Sequence, residues 1–300
     1  MRRARSVVMA VTALTMVPWA PLVGQVDQFG GQDRQFDEWW ALTPYQYNLV
    51  TVRPRGQPLI PLFEGWYPNP DGTYSLSFSY FNMNFEEPFQ IPIGPDNFLE
   101  PAEYNGMQPT YFMTAPPRGQ DGQSRHYRHQ AVFTVEVPAD FGRNDVVWTL
   151  RYKGKVLRIP GRITVEGSRI ENLEASTSAP FAPVLRFDPS GPEGRGRSGV
   201  TLGPLTVAVG EPLPLSVWLE PFSPTERDFV LFWFEHQGPV AVDFAERRFE
   251  VPAGGGEVTT TATFREPGEY MLRVTALQTL SAMVQHCCYT NNYVQVTVTP

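Results

Sequence analysis

The sequence is poor in lysine, histidine and cysteine, and only its N-terminus carries a long apolar run. Of the 24 basic residues all but Lys153 and Lys155 are arginine, and the arginines are scattered rather than gathered in one patch. With a formal charge of −7, this distribution argues against nucleic-acid partners, because phosphate binding needs clustered positive charge. No later run approaches the roughly 18 apolar residues of a membrane helix, so we expect no transmembrane segment after signal removal.

The N-terminus has the features of a secretory signal peptide. Arg2, Arg3 and Arg5 precede an apolar run of about ten residues, which is too short to span a bilayer. We predict a signal peptide over residues 1–24, cleaved near Gly24. Residues 1–24 hold three arginines and no acid, so their loss lowers the formal charge from −7 to −10. The expected location of the mature chain is secreted or periplasmic.

The chain also lacks the common motifs of hydrolysis and phosphate transfer. It has no Gly-x-Ser-x-Gly elbow, no His-Glu-x-x-His pair and no phosphate-binding loop. We therefore predict that the protein is not an enzyme and has no catalytic residue and no cofactor. The alternative is an extracytoplasmic enzyme with a site between two domains, where Glu64, Asp96 or His129 would face the loop that contains His286.

The composition favours an all-β protein. The chain holds 30 prolines and 25 glycines but few helical periods, which indicates many turns between short strands. The run Asn69-Pro70-Asp71-Gly72 suits a type I turn, and strict alternation follows it, with Tyr74, Leu76, Phe78 and Tyr80 separated by Ser75, Ser77 and Ser79. This pattern predicts a hairpin whose aromatic face is buried and whose serine face is wet.

The strand patterns fall into two groups separated by a segment rich in proline, glycine and serine. We predict an N-terminal β-sandwich domain over residues 25–174, with a long loop at 94–130, and a linker over residues 175–199. Seven short strands over residues 200–300 are typical of an immunoglobulin-like sandwich. The predicted fold is therefore two antiparallel β-sandwich domains in tandem, preceded by the signal peptide.

Two resemblances support this organisation. Residues 257–276 read EVTTTATFREPGEYMLRVTA and resemble the hairpin before the last strand of bacterial Ig-like and PKD-like domains. The segments FEGWYPNPDGTYSLSFSYFN (63–82) and VPADFGRNDVVWTL (137–150) resemble a family of secreted bacterial proteins with such a C-terminal domain. The resemblance implies one recurring architecture and supplies no catalytic residue. Domains of this class serve as spacers, adhesins and binding modules alike.

Four aromatic residues are the candidate ligand-binding residues. They lie where the alternation breaks down or in loops: Trp66, Tyr67, Phe81 and Tyr104. If exposed together, they would form a platform for an unknown protein or glycan partner. Two further groups are expected to be solvated: His126 and His129 before a strand, and the oxygen-rich residues between 82 and 100.

The segment His286-Cys287-Cys288 is the most unusual local feature. Neighbouring Cα atoms lie 3.8 Å apart, below the usual 4.4–6.8 Å of a disulfide, so a bridge between Cys287 and Cys288 would be strained. A vicinal disulfide, an intermolecular bridge and a soft-metal site with His286 as third ligand all stay open. The leading hypothesis is a non-enzymatic binding or spacer module at the cell surface or in the periplasm, and metal binding by this loop is an alternative.

Overall fold

The computed structural model describes residues 55–84, 86–114, 128–170, 182–221, 228–278 and 289–300. In these ranges the chain is all-β, as predicted, with two short 3-10 turns at Ala102–Tyr104 and Glu166–Ser168. The described part contains no helix long and apolar enough to cross a membrane. The predicted signal peptide and the segment 286–288 lie outside the described residues. Everything described belongs to one compact unit, Val52–Pro300.

Eight strands form what we call the N-terminal sandwich. They are β1 (Leu59–Pro68), β2 (Tyr74–Asn82), β3 (Phe89–Gln90), β4 (Asn97–Glu100), β5 (Tyr111–Phe112), β6 (Arg128–Val137), β7 (Val146–Tyr152) and β8 (Lys155–Gly161). The sheets β1-β2-β6 and β4-β7-β8 share one core, and β3 pairs with β5. Phe133 lies between the two sheets, with ring-centroid distances of 5.2 Å to Phe78 and 5.0 Å to Trp148.

The predicted hairpin is confirmed. Strands β1 and β2 pair antiparallel, and the Gly72 amide donates to the Asn69 carbonyl at 3.0 Å across the turn. The loop predicted for residues 94–130 is wrong in part, because β4 and β5 lie inside it and β6 begins at Arg128. Strands of two to four residues are too short to show a period in the sequence.

Nine strands form the C-terminal sandwich. They are β9 (Val184–Arg186), β10 (Thr201–Ala208), β11 (Pro212–Glu220), β12 (Phe229–Gln237), β13 (Asp243–Phe244), β14 (Arg248–Val251), β15 (Gly256–Thr263), β16 (Gly268–Gln278) and β17 (Thr290–Thr299). The sheets β10-β17-β16-β12-β14 and β13-β15-β11-β9 enclose a second core. The order β9-β11-β15-β13 against β12-β16-β17 is the ABED and CFG arrangement of immunoglobulin domains.

Two local features agree with this assignment. Trp233 on β12 is 1% exposed in the core, where immunoglobulin domains carry a tryptophan. The Tyr270 hydroxyl, near the start of β16, donates to the Glu266 carbonyl at 2.9 Å, which is a tyrosine corner. The resemblance of residues 257–276 to Ig-like domains is therefore confirmed at the level of the fold.

The structure also corrects the predicted C-terminal region. The arrangement is not wholly antiparallel, because β10 pairs parallel with β17. Strands β9 and β14 do not appear in the sequence-based interpretation, and β9 lies inside the predicted linker 175–199. In the described part of that segment Leu185 is fully buried and pairs with Leu219 of β11. The division into two domains stays a prediction.

Candidate functional site

The serine face of β2 is not wet, and this is the main correction to the sequence analysis. Ser75, Ser77 and Ser79 are 1%, 0% and 0% exposed, so β2 is buried on both faces. The aromatic face packs into the N-terminal core, as predicted. The serine face instead meets charged and amide side chains, one of which, Arg197, comes from the C-terminal sandwich. We call this polar contact the buried junction.

Glu64 is the centre of the buried junction, and a β-bulge directs it there. The register of β1 against β2 shifts between Phe63 and Gly65, so Glu64 is the extra residue and its side chain turns toward Ser77. Gly65 has a φ of +141°, and a Cβ there would lie 2.1 Å from the Ser168 carbonyl oxygen. Glycine at this position therefore permits the bulge.

Both carboxylate oxygens of Glu64 have partners. Oε1 accepts from Arg128 Nη2 at 3.0 Å, and Oε2 accepts from Ser77 Oγ at 3.0 Å and from the Ala131 amide at 3.1 Å. Arg197 Nη1 also donates to Oε2, and it donates to Ser77 Oγ at 2.7 Å. Burial by itself raises the pKa of Glu64, but Arg197, Arg128 and the hydrogen bonds outweigh it and lower that pKa. The carboxyl group is therefore ionised and fully coordinated.

Arg197 comes from the segment predicted to be a linker. Its side chain is 5% exposed, and its guanidinium lies 5.6 Å from the ring centre of Tyr289, which precedes β17. The Arg197 carbonyl accepts from Asn291 Nδ2 at 3.0 Å. The segment between β9 and β10 thus runs through the buried junction and contributes a positive charge to it.

Ala131 links the two sandwiches through its backbone. It has a φ of +50°, in the left-handed region that non-glycine residues seldom adopt, and it lies at a register shift between β2 and β6. Its amide donates to Glu64, and its carbonyl accepts from Asn291 Nδ2 at 2.7 Å and from Arg273 Nη1 at 3.3 Å. Arg273 also donates to the Val132 carbonyl. A strained backbone position is therefore held by groups from both sandwiches.

A second contact lies at the end of β12, and we call it the β12 contact. The Thr110 amide donates to the His236 carbonyl at 2.9 Å, and His236 Nε2 lies 2.7 Å from the Met107 carbonyl oxygen. Gln237 Nε2 donates to the carbonyls of Gly106 and Gln108 at 2.6 and 2.8 Å. Residues 106–110 of the N-terminal sandwich are thus fixed to one end of a C-terminal strand.

The expectation that His129 is solvated is wrong: His129 is half-buried, and His236, the other histidine among the described residues, is buried. His129 lies on β6, where its ring stacks on Tyr80 at 4.6 Å between centroids. Burial and nearby Arg273 lower the pKa of His129 to about 4, and the same two causes lower that of His236 to about 3. Both rings are therefore neutral near pH 7. His126 lies outside the described residues.

The oxygen-rich residues between 82 and 100 divide into two sets: the asparagines are buried and structural, whereas Glu86, Asp96 and Glu100 are exposed, as expected. Asn82 Nδ2 donates to the Met113 carbonyl at 2.9 Å, and Asn84 exchanges two hydrogen bonds with the backbone of Gln57. Asn82 and Asn84 are both fully buried. In the part of the chain that the structure describes, no group of three or more His, Cys, Asp or Glu side chains could hold a metal ion. The metal and disulfide predictions for His286, Cys287 and Cys288 lie outside that part.

The structure does not gather the four candidate aromatic residues into one platform. Trp66 is buried, and its Nε1 donates to the Val165 carbonyl at 3.1 Å. Tyr67 is half-buried beside it, whereas half-buried Phe81 pairs with Ile60 at the other end of the hairpin. Half-buried Tyr104 packs edge-on against Phe141 after β4. Ligand binding by these residues stays a prediction.

The junction residues Arg197, Arg273 and Asn291 were missed by the sequence analysis. One usable signal was present: three polar residues, Thr290, Asn291 and Asn292, open the apolar strand β17, and all three are fully buried. Polar residues at the start of a buried strand indicate a polar contact, because buried polar groups need hydrogen-bond partners.

No protein-family model matches this chain, and no curated protein matches it. Among solved structures, the PapD-like domain 7 of human CEP192 is similar over 41% of this chain and 90% of its own, at 10% identity and a TM-score of 0.29. The D00-D0 domain of intimin is similar over 80% of this chain and 100% of its own, at 11% identity and a TM-score of 0.24. A C. elegans MSP family member, WR4, is similar over 31% and 92%, at 9% identity and a TM-score of 0.24. The fold assignment rests on the strand order described above.

Proposed function

We propose that this protein is a non-enzymatic spacer module of the cell surface or periplasm, whose two sandwiches act as one rigid body. The observation that carries the proposal is the buried junction. Contacts between domains of one chain are usually modest and polar, so relative motion is the ordinary expectation. In this chain the contact is polar but buried: it contains the ion pair of Glu64 and Arg197, whose side chains are 0% and 5% exposed.

The energetics of the junction support rigidity. Separation of the sandwiches would remove Arg197 from Glu64 and would remove Arg273 and Asn291 from the Ala131 carbonyl. An uncompensated buried charge costs about 3–5 kcal/mol when its partner is removed. A hinge motion that opened the junction would therefore be rare, because water would have to replace all of these contacts together.

The same geometry argues against a catalytic role for Glu64. A general base must reach a substrate proton and needs a pKa near the working pH. The Glu64 carboxylate is fully buried and its hydrogen bonds go to protein donors, and its pKa is lowered by Arg197 and Arg128 although burial alone would raise it. Its role in the proposal is to hold the two sandwiches together.

A binding module is the second candidate function. Tyr67 is half-buried at the edge of the junction, and its hydroxyl lies 3.3 Å from Ser198 Oγ. Its partner would be a protein or a glycan. If this candidate is right, the wild type binds a glycan on an array or a surface protein, and the Tyr67→Ala variant loses that binding. A wild-type protein that binds neither would support the spacer function.

Residual dipolar couplings test the spacer proposal. Backbone couplings from β1–β8 and from β9–β17 should fit a single alignment tensor in the wild type. The Glu64→Gln variant should give two tensors of different magnitude, while the matched surface variant Glu100→Gln should behave as wild type. Two different tensors in the wild type would contradict the proposed rigid spacer.

A further inference from the structure

A second buried carboxyl group lies next to the β12 contact and takes no part in the buried junction. Glu235 precedes His236 on β12 and is 2% exposed. Its Oε2 accepts from the Val242 amide at 2.8 Å. Its Oε1 is buried without a hydrogen-bond partner among the described residues. A buried oxygen in this state is costly, and more so when the carboxyl group is ionised.

Val242, whose amide binds Glu235, also binds a guanidinium group through its carbonyl. Arg247 Nη2 donates to the Val242 carbonyl at 2.6 Å, and the guanidinium stands over the Phe244 ring at 4.5 Å. Arg247 Nη1 is likewise buried without a partner in the described part of the chain. Val242 thus holds a carboxyl group and a guanidinium group through its two backbone groups, and each side chain keeps one unused polar atom.

The other titratable groups around Glu235 and Arg247 come from three elements. Tyr111 lies on β5 of the N-terminal sandwich and Tyr270 on β16, and burial followed by the Glu235 charge raises both of their pKa values, that of Tyr270 to about 12. Asp243 lies on β13. Burial lowers the pKa of Arg247, and the charge of Asp243 raises it by less. Burial raises the pKa of Glu235 to about 7, against the opposing effects of the Val242 amide and Arg247.

The backbone connects Glu235 directly to the β12 contact. The next residue, His236, accepts the Thr110 amide through its carbonyl and reaches the Met107 carbonyl oxygen through its ring. The register of β12 against β16 shifts between Glu235 and Gln237, so the ladder is locally interrupted and can adjust. We propose that Glu235 is a protonation switch for the β12 contact: the neutral carboxyl group keeps residues 106–110 docked on β12, and the ionised carboxylate releases them.

The direction follows from linkage. Because the pKa of Glu235 is raised to about 7 in the docked state, a proton is bound more tightly there than in a released and hydrated state. Docking is therefore strongest below the ordinary carboxyl pKa and weakens as the pH rises through about 7. A single group with these properties changes the docking constant by about tenfold between pH 6 and pH 8.

Amide hydrogen exchange in the full chain tests the switch. Protection factors of the Thr110 amide, corrected for intrinsic exchange, should fall by about tenfold from pH 6 to pH 8 in the wild type. In the Glu235→Gln variant they should be independent of pH and close to the wild-type value in acid. The Leu185 amide, which bonds to Gly194 within the C-terminal sandwich, should show no such midpoint in either protein. Equal pH profiles in wild type and variant would overturn the proposal.

A measurement on the wild type alone covers the case in which Glu235→Gln does not fold. The carboxyl carbon resonance of Glu235 and the amide nitrogen resonance of Thr110 should titrate with one common midpoint near pH 7. Different midpoints, or a Thr110 resonance that does not titrate, would contradict the switch. The rigid-spacer proposal rests on Glu64 rather than on Glu235. If the switch fails, the residual dipolar couplings at acidic pH should still fit a single alignment tensor.

Discussion

Replacing Glu64 by glutamine removes the charge at the centre of the buried junction with almost no change in shape. The wild-type carboxylate accepts hydrogen bonds from Arg128, Arg197, Ser77 and the Ala131 amide. The glutamine side chain keeps one acceptor oxygen, and its NH₂ group must face donors that already point at it. The half-buried guanidinium of Arg128 and the buried guanidinium of Arg197 also lose the carboxylate charge of Glu64.

The expected loss of unfolding free energy is about 3–5 kcal/mol, the range for breaking a buried pair by removing one partner. Urea titration followed by far-UV circular dichroism measures it. With a slope of about 3 kcal/mol per molar urea, the midpoint should fall by roughly 1–2 M. The matched control is Glu100→Gln, because Glu100 pairs with Arg158 at 2.8 Å while their side chains are 51% and 57% exposed.

An exposed pair contributes only about 0–1 kcal/mol, so the control should unfold close to the wild type. If Glu64→Gln lost less than about 1 kcal/mol, no more than Glu100→Gln, the junction would not stabilise the protein as argued. An unchanged slope is also required, since a changed slope would mean that the compactness of the denatured or native state has changed or that unfolding is no longer a single transition.

Three further predictions concern the pH dependence of the Glu64 stabilisation and two other positions. The pKa of Glu64 is lowered in the folded state, so the stabilisation by its carboxylate is complete above the ordinary pKa of 4.5 and is lost as the pH falls through the folded-state pKa. Acid should therefore destabilise the wild type more than Glu64→Gln in urea titrations at a series of pH values. Gly199→Ala should destabilise by several kcal/mol in the same assay, because the new Cβ would lie 1.5 Å from the Asn291 carbonyl oxygen; Gly154→Ala, where no atom lies within 4 Å, should cost only about 1–2 kcal/mol. Tyr270→Phe removes the tyrosine-corner hydrogen bond and should lower stability by about 1 kcal/mol in a thermal melt, and no loss would mean that the bond is unimportant.

The sequence predicted the features that depend on period and turn chemistry. The alternation from Tyr74 to Tyr80 placed the aromatic residues in a core, and the turn at Asn69 joined the two strands as expected. The strand spacing after residue 200 led to an immunoglobulin-like sandwich, and the strand order agrees. These signals are local, so one sequence is enough to read them.

The serine face of β2 could not be predicted in the same way. Period-two alternation distinguishes apolar from polar side chains, but it does not show whether the polar face meets water or another polar surface. The two arginine partners of this face are distant in sequence: Ser79 and Arg128 are 49 residues apart, and Ser77 and Arg197 are 120 apart. Nothing in a local window connects them.

Composition did not distinguish a flexible linker from a packed segment before residue 200. The segment before Val200 is rich in glycine and proline, which is typical of a linker. In the structure its glycines allow close approach to other backbone, as Gly199 does to Asn291, and its arginine enters the junction. Close packing and flexibility favour the same residues, so composition alone does not distinguish them.

The most direct test of the central claim is to follow the unfolding of both cores in one sample. Trp148 lies in the N-terminal core and Trp233 in the C-terminal core, and both are fully buried. Fluorine NMR of 5-fluorotryptophan-labelled protein, with these two resonances assigned by single Trp→Phe variants, reports each core separately during a urea titration. If the buried junction joins the sandwiches into one cooperative body, both native resonances disappear with the same midpoint. Two separated midpoints in the wild type would contradict the account.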